Sequence, residues 1–113
     1  MSSYRVGFIG GGNMARALAG GLTSSGYPPA NLLIADPNSE QRAILRHDLP
    51  GVKVTADNDE VARAADCLVL AVKPQMMREV CRGLAAAVQQ KRPLVISVAA
   101  GTHSRDIDDW LGA

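Results

Sequence analysis

The sequence predicts a doubly wound α/β domain, a Rossmann-like arrangement in which a mainly parallel sheet is flanked by helices. Short apolar runs alternate with stretches of helical periodicity along the whole chain. Several runs, among them residues 31–36 (NLLIAD) and 67–72 (CLVLAV), lack polar alternation, as strands covered on both faces do. A cluster of three glycines sits directly between the first apolar run and the first helical stretch.

The elements follow in order. Residues 4–9 (YRVGFI) form a buried strand. Met14, Leu18, Gly21 and Leu22 then recur at helical spacing, and Gly26, Pro28 and Pro29 end that helix. After the strand at 31–36, the polar turn Pro37-Asn38-Ser39 lets Ser39 cap a helix that reaches about His47. VKVT (52–55) is a brief third strand and NDEVARAAD (58–66) a short helix. CLVLAV is the strongest strand signal. Pro74 then suits the first turn of a helix whose buried stripe is Met77, Val80, Cys81, Leu84 and Val88. PLVISVAA (93–100) is a further strand, and SRDIDDWL (104–111) begins a last helix.

With 113 residues the chain is one domain's worth, residues 1–113, with no repeat, linker or low-complexity tract. A net charge of +1 supplies no electrostatic footprint for nucleic acid or an anionic membrane, so neither is an expected partner. No apolar run reaches the roughly 18 residues that span a bilayer, and the N-terminus lacks the regions of a signal peptide. Cys67 and Cys81 fit neither a zinc site nor a CxxC pair, which makes them buried free thiols and the cytoplasm the default compartment.

The glycines carry the chemistry. Gly10, Gly12 and Ala15 give GxGxxA: freedom for a tight turn, room for a pyrophosphate, and a small residue where helix and strand pack. A helix beginning near Gly12 aims free N–H groups and its positive dipole end at phosphate. Asp36 ends the second strand, where a carboxylate would accept a hydrogen bond from an adenosine ribose. The same Asp-Pro pair also suits a simple turn. A ribose-facing Asp36 repels a 2′-phosphate and favours NADH, while nearby Asn38 and Arg42 soften that preference. NADPH and NADH therefore both remain candidate cofactors.

Taken together, GFIGGGNMARALAGGL, LAVKPQ (70–75) and ISVAAG (96–101) resemble the N-terminal domain of pyrroline-5-carboxylate reductase, which catalyses the last step of proline biosynthesis. The resemblance covers essentially the whole chain. It implies that Gly10, Gly11, Gly12, Asn13 and Met14 wrap the pyrophosphate and that Asp36 lies beside the adenosine ribose. It further implies Asn58 on the adenosine side, with Ala71, Val72, Lys73, Pro74, Ala99, Ala100 and Gly101 lining the cleft towards the nicotinamide. Asp36 departs from the neutral residue often found there in relatives, which bears on the family's usual NADPH preference. Family members also carry a further helical domain that forms a homo-oligomer and most of the imino-acid site, so this chain by itself is expected to be inactive.

The reaction so implied is hydride transfer to the C=N carbon of 1-pyrroline-5-carboxylate, giving proline, and no catalytic residue or metal is assigned within this chain. Lys73 takes a structural or cofactor-edge role. His47 sits at a helix end and His103 in a turn, the Met76-Met77 pair belongs to the core, and Trp110 packs against the remainder of the longer protein. The competing assignments are the dinucleotide domain of a β-hydroxyacid dehydrogenase or an F420-dependent NADP reductase, or a nucleotide-binding module without catalysis.

Overall fold

The structure is a computed structural model that describes residues 4–98 and 104–112. Five strands, β1 (Val6–Ile9), β2 (Leu32–Ala35), β3 (Lys53–Thr55), β4 (Cys67–Leu70) and β5 (Leu94–Ser97), form one sheet in the order β3-β2-β1-β4-β5. All four pairings are parallel, with Val6 opposite both Leu32 and Cys67. The helices are α1 (Asn13–Ser24), α2 (Ser39–Asp48), α3 (Asn58–Ala64), α4 (Pro74–Lys91) and α5 (Ser104–Leu111), with a 3-10 turn over Pro29–Asn31.

The strand order makes the sheet doubly wound. The chain steps outward from β1 to β3, then returns across the sheet to β4. Because parallel crossovers are right-handed, this reversal moves the helices to the opposite face. One core accordingly packs Ala15 and Ala19 of α1 and Leu45 of α2 against Phe8, Leu32, Ile34, Cys67 and Val69. The other packs Val61 of α3, Met77, Cys81 and Leu84 of α4, and Ile107 and Leu111 of α5 against Ile9, Leu33, Leu68 and Leu70. Every residue of β2 and β4 is buried, as their unbroken apolar runs require.

Several sequence expectations are corrected in detail. The buried side of α1 is Ala15 and Ala19, whereas Met14 and Leu18 are exposed. Small residues face the sheet because a phosphate-type turn brings this helix close to β1. Asn38, not Ser39, is the N-cap of α2: its Oδ1 accepts from Gln41 N at 3.0 Å, and Ser39 is already helical. Of the methionine pair only Met77 is buried, since adjacent helical residues point about 100° apart, and Met76 is exposed. Trp110 is half-buried and packs against this chain's own core. Helix α3 stops at Ala64, two residues short of the expected end. His47 does lie in the last turn of α2, while His103 lies outside the described residues.

Gly7 is a packing residue that periodicity alone does not reveal. A Cβ there would stand 2.5 Å from Val61 Cγ1 and 2.9 Å from Ala65 Cβ, so its absence lets α3 settle onto the middle of β1.

Candidate functional site

In a parallel sheet every strand ends at the same edge, and that edge collects most of the sequence-predicted residues. Gly10, Asp36 and Ala71 follow directly on β1, β2 and β4, which are neighbours in the sheet. The strand ladder continues into them: Gly10 N donates to Ala35 O at 2.8 Å and Ala71 N to Ile9 O at 2.8 Å. The break in strand order lies between β1 and β4, where open α/β sheets form their crevice.

The three glycines differ in what requires them. Gly10 has φ +99°, and a Cβ there would meet Ala71 O at 2.8 Å, so both conformation and space demand glycine. Gly11 is buried, and a Cβ would strike Leu45 Cδ1 at 2.5 Å. Gly12 is exposed, and a Cβ there would meet nothing within 4 Å. Its space opens outward from the N-terminus of α1.

Gly12 is also the N-cap of α1, with extended φ −76° and ψ −164° and no side-chain cap. Only Arg16 N, bonded to Gly12 O, begins the helical ladder there, so the leading N–H groups are left pointing out of the helix end. No acidic residue stands in the first turn. Helix α4, on the other side of the break, begins in a related way. Lys73 is its N-cap, Pro74 fills N1, and neither a side-chain cap nor a first-turn acid is present. Two positive helix ends that lack internal anions thus flank the crevice.

The β2–α2 turn grips the glycine turn. Asp36 Oδ2 accepts from Gly11 N at 2.9 Å and Asp36 Oδ1 accepts from Asn38 N at 2.9 Å. On the other side of the same glycine, Gln41 Nε2 donates to Gly11 O. Arg42 Nη1 donates to Asp36 O at 2.9 Å, which places a guanidinium beside the carboxyl end of β2. The turn that Asp36 forms with Asn38 is therefore real, and it coexists with a position at the mouth of the crevice. Asn13 and Met14 are exposed at the start of α1, where Asn13 Oδ1 accepts from Arg16 Nη2 at 3.2 Å.

Asn58 lies further out, at the first position of α3. It lines a separate cavity of about 400 Å³ between α3 and α4, with Asp57, Asp59 and Glu79 around it. Val72 is half-buried and Lys73 and Pro74 are exposed at the crevice edge. Ala99, Ala100 and Gly101 lie outside the described residues.

Sequence reasoning missed Gln41, which carries no motif, and read Arg42 only as a neighbour of Asp36. Cys67 and Cys81 are buried, and burial pushes the Cys81 thiol up to about 11. Among the described residues, no helix is long and apolar enough to cross a membrane.

The family model described as NADP oxidoreductase, coenzyme F420-dependent, matches residues 5–101 of this sequence. The chain belongs to that family. This NADP oxidoreductase family member is 43% identical to a pyrroline-5-carboxylate reductase of Vibrio alginolyticus, over 98% of the chain and 40% of the relative. A solved pyrroline-5-carboxylate reductase from Coxiella burnetii superposes with TM-score 0.92 at 37% identity, covering 98% of this chain and 41% of that one. The Plasmodium falciparum pyrroline carboxylate reductase, solved with NADP bound, superposes with TM-score 0.82 at 25% identity, over 100% of this chain and 40% of that one. The chain spans about 40% of the length of the curated relatives it matches. The similarity to pyrroline-5-carboxylate reductases thus spans nearly the whole length of the sequence, not only the Gly-Asn-Met, Val-Lys-Pro and Ala-Ala-Gly segments.

Proposed function

We propose that this chain is the dinucleotide-holding domain, residues 1–113, of a pyrroline-5-carboxylate reductase. The observation that carries this is the α1 N-terminus at Gly12: uncapped, free of acidic residues, and open where a side chain would otherwise stand. These features fit a pyrophosphate, whose charge takes the place of the missing cap. Gly10, Gly11, Gly12, Asn13 and Met14 hold that group. Asp36 faces the adenosine ribose, with Asn58 on the same side. Ala71, Val72, Lys73 and Pro74, with Ala99, Ala100 and Gly101, line the nicotinamide end.

The bound nicotinamide would supply the hydride that reduces the C=N bond of 1-pyrroline-5-carboxylate to proline. The contribution of this chain is to bind and orient, so it needs no acid, base or metal of its own. The imino acid is held by the additional helical domain found in longer relatives, the complete protein is a cytoplasmic homo-oligomer, and the 113 residues alone do not turn over substrate. The NADP bound to the Plasmodium relative and the NADP in the family description support NADPH as the donor. Asp36 spends both carboxylate oxygens on Gly11 N and Asn38 N, and Arg42 stands beside it on Asp36 O, which offsets the repulsion a 2′-phosphate would meet there. An F420-linked NADP reductase is a second reading, supported by the family description. The 43% identity to a pyrroline-5-carboxylate reductase favours the first.

Titration of the chain with NADPH and NADH, followed by nucleotide fluorescence, tests the binding step. Saturable binding is expected, and a folded chain that binds neither nucleotide refutes the proposal. Turnover of 1-pyrroline-5-carboxylate by the longer protein tests the substrate assignment.

A further inference from the structure

We infer that Gln41 is a positioning residue for the dinucleotide, acting through the Gly11 peptide without touching the ligand. The inference deepens the proposed function and rests on it. Gly11 is held from both sides by one turn of chain: its N–H donates to Asp36 Oδ2 at 2.9 Å, and its carbonyl accepts from Gln41 Nε2. The two grips are joined to each other. Asn38 N donates to Asp36 Oδ1 at 2.9 Å, and Asn38 Oδ1 accepts from Gln41 N at 3.0 Å. The result is a closed ring of hydrogen bonds, Gly11–Asp36–Asn38–Gln41–Gly11, that ties the β1–α1 turn to the start of α2.

The geometry makes this ring consequential for the ligand. Gly11 O belongs to the peptide plane that also carries Gly12 N, so a donor fixed on that oxygen fixes the direction of the Gly12 N–H. Gly12 heads the uncapped helix α1, whose outward N–H groups are the anion cradle. With no side chain at Gly10, Gly11 or Gly12, the turn has wide backbone freedom of its own, and an unclamped turn must lose that freedom when ligand binds. Gln41 and Asp36 remove it beforehand, which is preorganisation. Gln41 itself is half-buried and one amide N–H is engaged by Gly11 O, so its role is exerted at one remove from the ligand.

Three consequences separate this role from a general structural one. Gln41→Met keeps the length of the side chain and removes the donor. It should weaken NADPH and NADH by the same factor, about 5- to 20-fold, because the pyrophosphate is common to both, with only a modest fall in thermal midpoint from the lost hydrogen bond. Amide hydrogen exchange at Gly11, whose N–H is bonded to Asp36 Oδ2, should become faster in Gln41→Met without nucleotide present. In a double-mutant cycle with Asp36→Ala, the joint loss should be smaller than the product of the single losses, since either change opens the same ring. Unchanged nucleotide affinity in Gln41→Met, or losses that multiply independently, would overturn the inference while leaving dinucleotide binding intact. A wild-type chain that binds neither nucleotide would overturn the proposed function and this inference together.

Discussion

Four helix N-termini in this domain are fully described, and they divide into two kinds. Helices α2 and α3 are closed by their own chain: Asn38 Oδ1 accepts from Gln41 N and Asp57 Oδ1 from Asp59 N, with Glu40, Asp59 and Glu60 in the first turns. Helices α1 and α4 have neither a side-chain cap nor a first-turn acid. The division follows topology. The open ends succeed β1 and β4, the strands beside the break in sheet order, and the closed ends succeed β2 and β3, the strands further from it on the β1 side. A helix end that satisfies itself contributes to stability, whereas one left open gives up that contribution and can receive an anion. The helix ends beside the break in sheet order are thus left open, and those after β2 and β3 are closed by their own side chains.

The most severe way to break this contrast is to close α1 with an acid. Gly12 has extended backbone angles and free space around its missing Cβ, so Gly12→Asp is conformationally allowed. An aspartate N-cap should add a few tenths of a kcal/mol of stability. Nucleotide affinity should fall by about 100-fold or more, because a carboxylate takes the place and charge of the pyrophosphate. A thermal midpoint that holds or rises while fluorescence titration shows binding lost is the expected result. A fall in both would show that the end is structurally constrained rather than reserved.

Gly10→Ala should damage both properties. Its φ of +99° and the 2.8 Å approach to Ala71 O make any side chain strained, at a cost of about 2–3 kcal/mol in denaturant unfolding, with weaker nucleotide binding. Asp57→Ala tests the closed class. It should lose about 1 kcal/mol of stability and change NADPH affinity far less than Gly12→Asp does.

The smallest effect lies away from the crevice. The Arg5 backbone N–H, bonded to Asp66 at 2.9 Å, holds that carboxyl below its ordinary range, helped by Lys91 at 3.2 Å. A lowered folded-state value means the stabilisation is complete above the unfolded Asp value of about 3.9 and is lost as pH falls through the folded value. Urea midpoints measured from pH 6 downward should therefore fall less steeply in Asp66→Asn than in the wild type.

Much of this was legible in the residues alone. Unbroken apolar runs at 32–35 and 67–70 marked the buried strands, because a strand covered on both faces has no polar period to show. Gly10 and Ala15 marked the turn because positive φ and close packing each exclude most side chains, while Gly12 marked the open space at the helix end. What local pattern left ambiguous was the use of ordinary residues. Met14 and Leu18 fall at helical spacing, yet the closeness of α1 to the sheet turns the small Ala15 and Ala19 inward instead. Asn38 and Ser39 are both acceptable caps by type, and the path of the chain out of β2 selected Asn38.

The sequence by itself determined the alternating elements and the glycine turn, since these depend on spacing along the chain, and it pointed to the family through the resemblance of its motifs. Only the tertiary structure decided which helix ends remain open and that Gln41 reaches back 30 residues to hold Gly11. Those outcomes depend on which strands become neighbours, and strand order is settled by the packing of distant segments. No short stretch of sequence encodes it.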